Sequence, residues 1–394
     1  MAKIDRQLLW TGDLNAKALP KEPPRTVGLY DTTLRDGEQT VGVVLTPEQK
    51  LEIARLLDAF GIDRIEAGFP RVSDEDRRAI EMMRDAKLRA EIWGFSRAMP
   101  DDVAAIAELG LRSTVIEAPV SDMKLGALGV ERSEMLRRIR TAVGSAAQRG
   151  VRVAYFAVDG TRADLSFLES VYKTALDAGA QELVVVDTIG IAAPEAAAYL
   201  VALVRDWAGP GVPIHFHGHN DFGLATAAAV AAVRAGAEYI QGTVNGMGER
   251  AGNTNLAEVA LALGALYGHE TNLRLELVHM VSRRVRELAG YDMAPWTPLV
   301  GENLFRRETG TAVSQFHVPQ AIEPYAAAVV GATREVVLGK RSGRDSIRIK
   351  CEELGISASQ EAQRLLLERV KELATRKRGL VSDDEFRTLA LELA

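Results

Sequence analysis

The feature that most constrains this chain is a rhythm. From Thr26 onward, short β-branched runs alternate with longer segments of helical spacing, and the alternation persists for about 240 residues. The runs predict strands at 27–31, 62–69, 89–95, 113–118, 151–158, 182–188, 212–218 and 238–244. Between them lie helices such as TPEQKLEIARLLDAF, with Thr46 as N-cap and Glu48 or Gln49 near the capping-box position, and PEAAAYLVALVRDW, with Pro194 in its first turn. Eight strands, each followed by a helix, fit the size of a (β/α)₈ TIM barrel. The alternative is an open doubly wound sheet, whose first crossover would carry a GxGxxG turn. No such turn follows the first strand.

After Leu266 the rhythm changes. LELVHMVSRRVRELAGY reads as a helix, followed by the irregular DMAPWTPLVGENLF, the short apolar YAAAVVG, the turn-like GKRSGRDS, and helical segments at 346–354 and 359–377. The expected organisation is an N-terminal arm (1–25), a barrel (26–270) and a mainly helical accessory region (271–394). A formal charge of −6 offers no basic surface for nucleic acid, which binds largely by counterion release. No window reaches the roughly 20 apolar residues of a membrane-spanning helix, and the N-terminus has no secretory apolar core. Cys351 is the only cysteine, so neither an internal disulfide nor a thiolate metal site can be built. A reducing, cytoplasmic setting is the default expectation.

Within the seventh run, HFHGHNDFG (215–223) holds three of the six histidines. Alternate strand residues face one side, so His215, His217 and His219 point together, into the barrel and toward the strand's C-terminal end, where such barrels keep their active sites. Imidazoles at i and i+2 can bind one divalent ion if oxygen donors complete the shell. The competing reading is a stack of hydrogen-bonded core histidines, and His215, one layer deeper, suits it best. DTTLRDGEQ (31–39) follows the first strand, and seven of its nine residues are polar, a costly run unless they face a site. In it, Asp36 can ligate an ion, Arg35 can stabilise charge on a substrate oxygen, and Gln39 is a candidate substrate contact. NGMGERAGN (245–253) follows the eighth strand, where glycines allow close ligand approach and Asn253 offers an amide oxygen. The first, seventh and eighth strands adjoin once a barrel closes, so all three clusters meet on one rim.

DTTLRDGEQ, HGHNDFGLATA and NGMGERAGN at these separations resemble the isopropylmalate, homocitrate and citramalate synthase family, over about residues 26–270, and LGKRSG (338–343) resembles that family's LGKHSG segment. The resemblance implies Asp36, His217, His219 and Asn253 as metal ligands, Arg35 polarising the keto oxygen of a 2-oxo acid, and Thr188 near the substrate carboxylate. It further implies a Claisen-type condensation with acetyl-CoA as co-substrate; mixed nitrogen and oxygen donors without sulfur suit Mn²⁺, Mg²⁺ or Zn²⁺ as the ion. A homodimer is expected too, the accessory region of one chain covering the other's barrel. The family's fifth strand ends in a glutamate where this chain has Val158, and its accessory region carries a histidine where this chain has Ala312. Glu117 is then the preferred candidate base, ahead of His317 and Glu308. Arg97 can bind a second substrate carboxylate or serve as a loop ion pair. Besides the acyltransferase, two readings stand: a lyase or aldolase cleaving a 3-hydroxy acid or its thioester, and a catalytically silent metabolite-binding homologue.

Overall fold

The computed structural model describes residues 4–20 and 22–393. Eight parallel strands, β1 (Gly28–Asp31), β2 (Arg64–Glu66), β3 (Glu91–Arg97), β4 (Ser113–Pro119), β5 (Arg152–Val158), β6 (Glu182–Asp187), β7 (Ile214–Gly218) and β8 (Tyr239–Gly242), follow one another around a closed barrel. Closure is made by β1 on β8, with Gly28 opposite Tyr239 and Asp31 opposite Gly242. This is the TIM barrel that the sequence rhythm predicts. The second strand is shorter than expected, although Ala67 N–H and Gly68 O still bond to β3 beyond its end, and Gly68 takes a φ of +139°.

Strand alternation sorts the side chains. One inward set, Tyr30, Trp93, Phe95, Val115, Ala154, Phe156, Val184 and Val186, packs as a single apolar cluster. Below it the barrel floor is polar and closed on itself. Glu182 takes Arg64 at 2.6 and 3.2 Å and His215 Nε2 at 2.6 Å, while the Gln241 amide meets His215 Nδ1 at 3.1 Å. Burial pushes the Glu182 carboxyl up, yet His215 and Arg64 outweigh it and bring it down to about 2. His215 is thus a satisfied core histidine with both ring nitrogens engaged.

The outer helices start and stop on local signals. Pro47–Phe60 opens with a Thr46–Gln49 capping box and ends on Gly61, whose φ of +95° is left-handed. A Cβ on Gly61 would also lie 2.2 Å from the backbone oxygen of Asn272. Helix Val278–Ala289, expected in the accessory region, belongs to the barrel unit (15–292). It buries Val278, Val281 and Val285, and Arg284 bonds Glu52 of helix Pro47–Phe60 at 2.6 Å.

The second unit comprises 4–14 and 293–393. The N-terminal segment, read from sequence as an arm, bonds here through Trp10 N–H to Pro324 O at 2.8 Å and through a Leu9–Tyr325 antiparallel bridge. Helices Arg344–Leu354, Gln360–Lys377 and Asp383–Leu391 pack around Leu338, Ile347, Leu366, Val370 and Phe386. The third of these helices was not among the expected segments. Its Ser382–Glu385 capping box is the local signal for it. The apolar YAAAVVG becomes the short 3₁₀ helix Ala327–Val330. No helix among the described residues is long and apolar enough to cross a membrane.

Gly61→Ala should destabilise the barrel by about 2 kcal/mol or more, since it combines positive φ with a backbone clash. Urea unfolding followed by circular dichroism measures this, and a change below about 0.5 kcal/mol would contradict the close approach.

Candidate metal centre and its rim

Three loops deliver polar groups to the C-terminal mouth of the barrel. Asp36 sits in the turn after β1, where its N–H donates to Thr32 O at 2.9 Å. His217 lies in β7, and His219 just beyond it is bridged through the backbone to Asn253 after β8. The bridge needs the glycines of the β8 loop. A Cβ on Gly248 (φ +151°) would fall 2.2 Å from Asn253 Nδ2, and one on Gly252 (φ +87°) would fall 2.0 Å from Gly246 O. The Asn253 amide in turn donates Nδ2 to Met247 O at 2.9 Å, which leaves Oδ1 as the free end.

The two Nε2 atoms of His217 and His219 are 3.3 Å apart, and they lie 3.3 and 3.7 Å from Asp36 Oδ2. Cis donors around an ion bound at about 2.1 Å are spaced by about 3 Å, so these contacts are of ligand-shell size. All three side chains are buried. Asn253 Oδ1 and the Nδ1 atoms of both histidines are buried without a hydrogen-bond partner among the described residues. An acceptor oxygen orphaned beside two imidazoles and a carboxylate fits a cation. Burial pushes Asp36 up, but Arg35 and then the two histidines hold its carboxyl well below the usual range. Burial and the neighbouring His217 bring His219 down to about 4, so at neutral pH its ring is uncharged and keeps a lone pair to offer. The residues therefore suit a divalent ion with mixed nitrogen and oxygen donors.

Arg35 stands beside this cluster. Its Nε donates to Glu66 Oε2 at 2.6 Å, Nη1 reaches Asp36 Oδ2 at 3.3 Å, and the guanidinium lies 4.2 Å above the Phe95 ring. Nη2 is buried with no partner among the described residues, so one strong donor is left over for a bound molecule. Burial opposes its charge, but Glu66 and Asp36 hold its pKa above the ordinary value. Glu66, which the sequence offers only as one of the strand-end residues shaping the acceptor pocket, is the anchor of this arginine. Fully buried, it also takes the Tyr30 hydroxyl at 3.0 Å and Thr32 Oγ1 at 2.5 Å. The signal for it was the alternation in RIE, which puts Arg64 and Glu66 on the inward face of β2.

The other candidates are placed as follows. Thr188 Oγ1 accepts the Asp159 N–H at 2.7 Å, so its own hydroxyl proton remains to donate. Glu117 stands at the inward end of β4 with no hydrogen bond or ion pair to a described residue, and burial pushes its carboxyl up against the pull of Arg35 and Lys124. Gln39 is exposed and, with Arg35, lines a cavity of about 600 Å³. Arg97 spends its guanidinium on Asp102 at 2.7 and 3.1 Å, the loop ion pair rather than a free fork. Val158 packs against the apolar interior cluster. In the second unit, Glu308 accepts the Arg341 N–H at 2.7 Å, His317 is exposed, and Ala312 lies in the short helix Gly310–Val313.

The HMGL-like family profile matches residues 26–285. This chain belongs to the HMGL-like family. A second profile, the homocitrate synthase post-HMGL domain-like region, matches 299–378. Among HMGL-like relatives, the chain is 43% identical to a homocitrate synthase of Methanopyrus kandleri over 90% of its own length and 89% of the relative. It is also 43% identical to a probable 2-isopropylmalate synthase of the same organism, over 89% of this chain and 70% of the relative. With an (R)-citramalate synthase of Methanocaldococcus jannaschii it shares 39% over 88% and 70%. The barrel is similar in fold to a hydroxymethylglutaryl-CoA lyase of Pseudomonas aeruginosa, with a TM-score of 0.61 and 21% identity over 68% of this chain and 95% of that one.

Gly248→Ala should push Asn253 off the centre while leaving the ligand side chains intact. Calorimetric titration with Mn²⁺ is expected to weaken by about tenfold or more. Unchanged affinity would mean that Asn253 takes no part.

Proposed function

We propose that this chain is a divalent-metal-dependent acyltransferase that condenses acetyl-CoA with a 2-oxo acid to give a 2-alkylmalate or homocitrate-type product. The observation that carries this reading is the convergence of Asp36, His217, His219 and the orphaned Asn253 Oδ1 beside an Arg35 with an unused N–H. Similarity to synthases over nine-tenths of the chain supports it. The lyase reading has weaker support, because the lyases named among solved structures are about 20% identical and share the fold alone.

In this mechanism Asp36, His217, His219 and Asn253 would hold Mn²⁺, Mg²⁺ or Zn²⁺. Such an ion, when bound, acts as a Lewis acid on a chelating 2-oxo acid. Arg35 donates Nη2–H to the keto oxygen and steadies the negative charge that grows there as the new bond forms. Glu66 locks the guanidinium in that pose through Nε. Thr188 donates its hydroxyl to the substrate carboxylate, and Gln39 contacts substrate from the rim. Glu117 takes the proton from the acetyl methyl group, and the resulting enolate carbon attacks the keto carbon. Water then cleaves the thioester and releases CoA. A half-buried, unpaired carboxylate whose pKa is raised is suited to that proton transfer. We further assign the enzyme to the cytoplasm, where a lone buried cysteine stays reduced, and to a homodimer, for which the exposed Trp296 is one apolar contact to offer.

Incubation with Mn²⁺, acetyl-CoA and a panel of 2-oxo acids should release free CoA with at least one acceptor, and no release with any of them would remove the synthase reading. Arg35→Lys should lower kcat by about 100-fold, because a point charge cannot keep both the Glu66 bond and the free donor. In kcat/KM against pH, activity should fall as pH drops through the raised Glu117 value. Glu117→Gln should lose this acidic limb as well as most of its rate. Light scattering at micromolar concentration should report twice the mass of one chain.

A further inference from the structure

The proposed site leaves open what the far end of the 2-oxo acid looks like, and the walls of the barrel mouth bear on it. Arg35 lies over Phe95 at 4.2 Å, and the His217 ring meets Phe156 edge-on at 5.0 Å. A substrate held between these two groups therefore has phenyl rings immediately beside it. Val158, directly above Phe156 on β5, and Phe69, 5.7 Å from Phe95, extend the same apolar wall. Between β3 and β5 stands β4, and its inward residue at this height is Glu117, opposite Arg97 on one side and Phe156 on the other.

Most of the cations around this wall are matched by carboxylates of the chain itself. Arg97 makes no ion pair with Glu117, and its guanidinium lies 5.3 Å from the Phe69 ring. Its Nε and Nη2 bond Asp102 at 2.7 and 3.1 Å, its backbone N–H donates to the same carboxylate at 3.2 Å, and Arg71 Nε lies 3.5 Å from Asp102 Oδ1. Asp102 is 1% exposed, so this latch is anchored below the surface although Arg97 itself is half exposed. Lys50 is held by Glu38 at 2.5 Å and by Asp76, and Arg35 by Glu66 and Asp36. Lys124 makes no ion pair with a described residue and, like Arg35 and Arg97, acts electrostatically on Glu117. A second carboxylate arriving at the wall would thus find phenyl and isopropyl surface, the Glu117 carboxylate, and an arginine already committed.

The geometry points to an acceptor with one carboxylate and an uncharged, apolar tail, the Arg97–Asp102 latch and Glu117 together excluding a 2-oxo diacid. This rests on the condensation reading for its catalytic consequence, though not for the binding preference. Selectivity of this kind comes from withholding a partner charge and opposing a like one.

Two acids of equal chain length test it: 2-oxopentanoate, with a propyl tail, and 2-oxopentanedioate, with a terminal carboxylate. With Mn²⁺ and acetyl-CoA, kcat/KM should favour 2-oxopentanoate by about 100-fold. Asp102→Asn frees the Arg97 guanidinium and should narrow that ratio by about tenfold, mainly through a lower KM for the diacid. Circular dichroism checks that this variant is folded. Melting temperature with Mn²⁺ and each acid, without acetyl-CoA, gives a binding readout on the wild-type chain, and 2-oxopentanoate should raise it more. Equal or greater stabilisation by the diacid, or equal or greater turnover of it, overturns the inference. Selective stabilisation by 2-oxopentanoate with no CoA release from either acid would instead sink the condensation reading and leave the acceptor class standing.

Discussion

Closure of the sheet by β1 on β8 is the interaction on which the candidate site depends. Four consecutive residue pairs, from Gly28–Tyr239 to Asp31–Gly242, join the two ends of the barrel sequence. That seam carries Asp36 to within 3.3 Å of His217 and sets the loop after β8 beside His219. Residues some 180 and 217 positions apart in the chain become neighbours because backbone hydrogen bonds, not side-chain affinity, put them there. A strand shift by one residue at this seam would turn the inward side chains outward and undo the cluster.

The barrel and its rim were legible in the sequence because both are written in short periods. Alternation on β7 placed His215, His217 and His219 on one face, and the glycines of NGMGERAGN marked a loop that must bend sharply near a ligand. Less legible were the partners that fix each side chain. Nothing in the local pattern says that Glu66 collects three donors, or that Arg97 prefers Asp102, five residues ahead, to Glu117 directly across the strand pair. Such choices depend on rotamers and on competition between carboxylates at similar range. The limits of helix Val278–Ala289 with respect to the barrel were hidden for the same reason, since its apolar stripe fits any neighbouring surface.

Arg35 illustrates how one residue is made specific by three others. Glu66 fixes its Nε, Asp36 engages Nη1, and Phe95 supports its plane, so only Nη2 is left to act. The buried charges involved would each be costly alone, and they are tolerable because every one is hydrogen-bonded or faces an opposite charge. The same economy appears in Asp102, which holds two arginines from a position almost without solvent contact.

The polar floor has a consequence for traffic. Arg64, Glu182, His215 and Gln241 fill the lower barrel with hydrogen-bonded groups, and the apolar cluster packs above them. Among the described residues, the candidate site faces the mouth, and a molecule reaches it from that side. A molecule that reaches Arg35 and the histidines must arrive before anything that settles nearer the opening, and it must depart after it. A barrel filled at one end thereby imposes sequence on binding and release, with no moving part required.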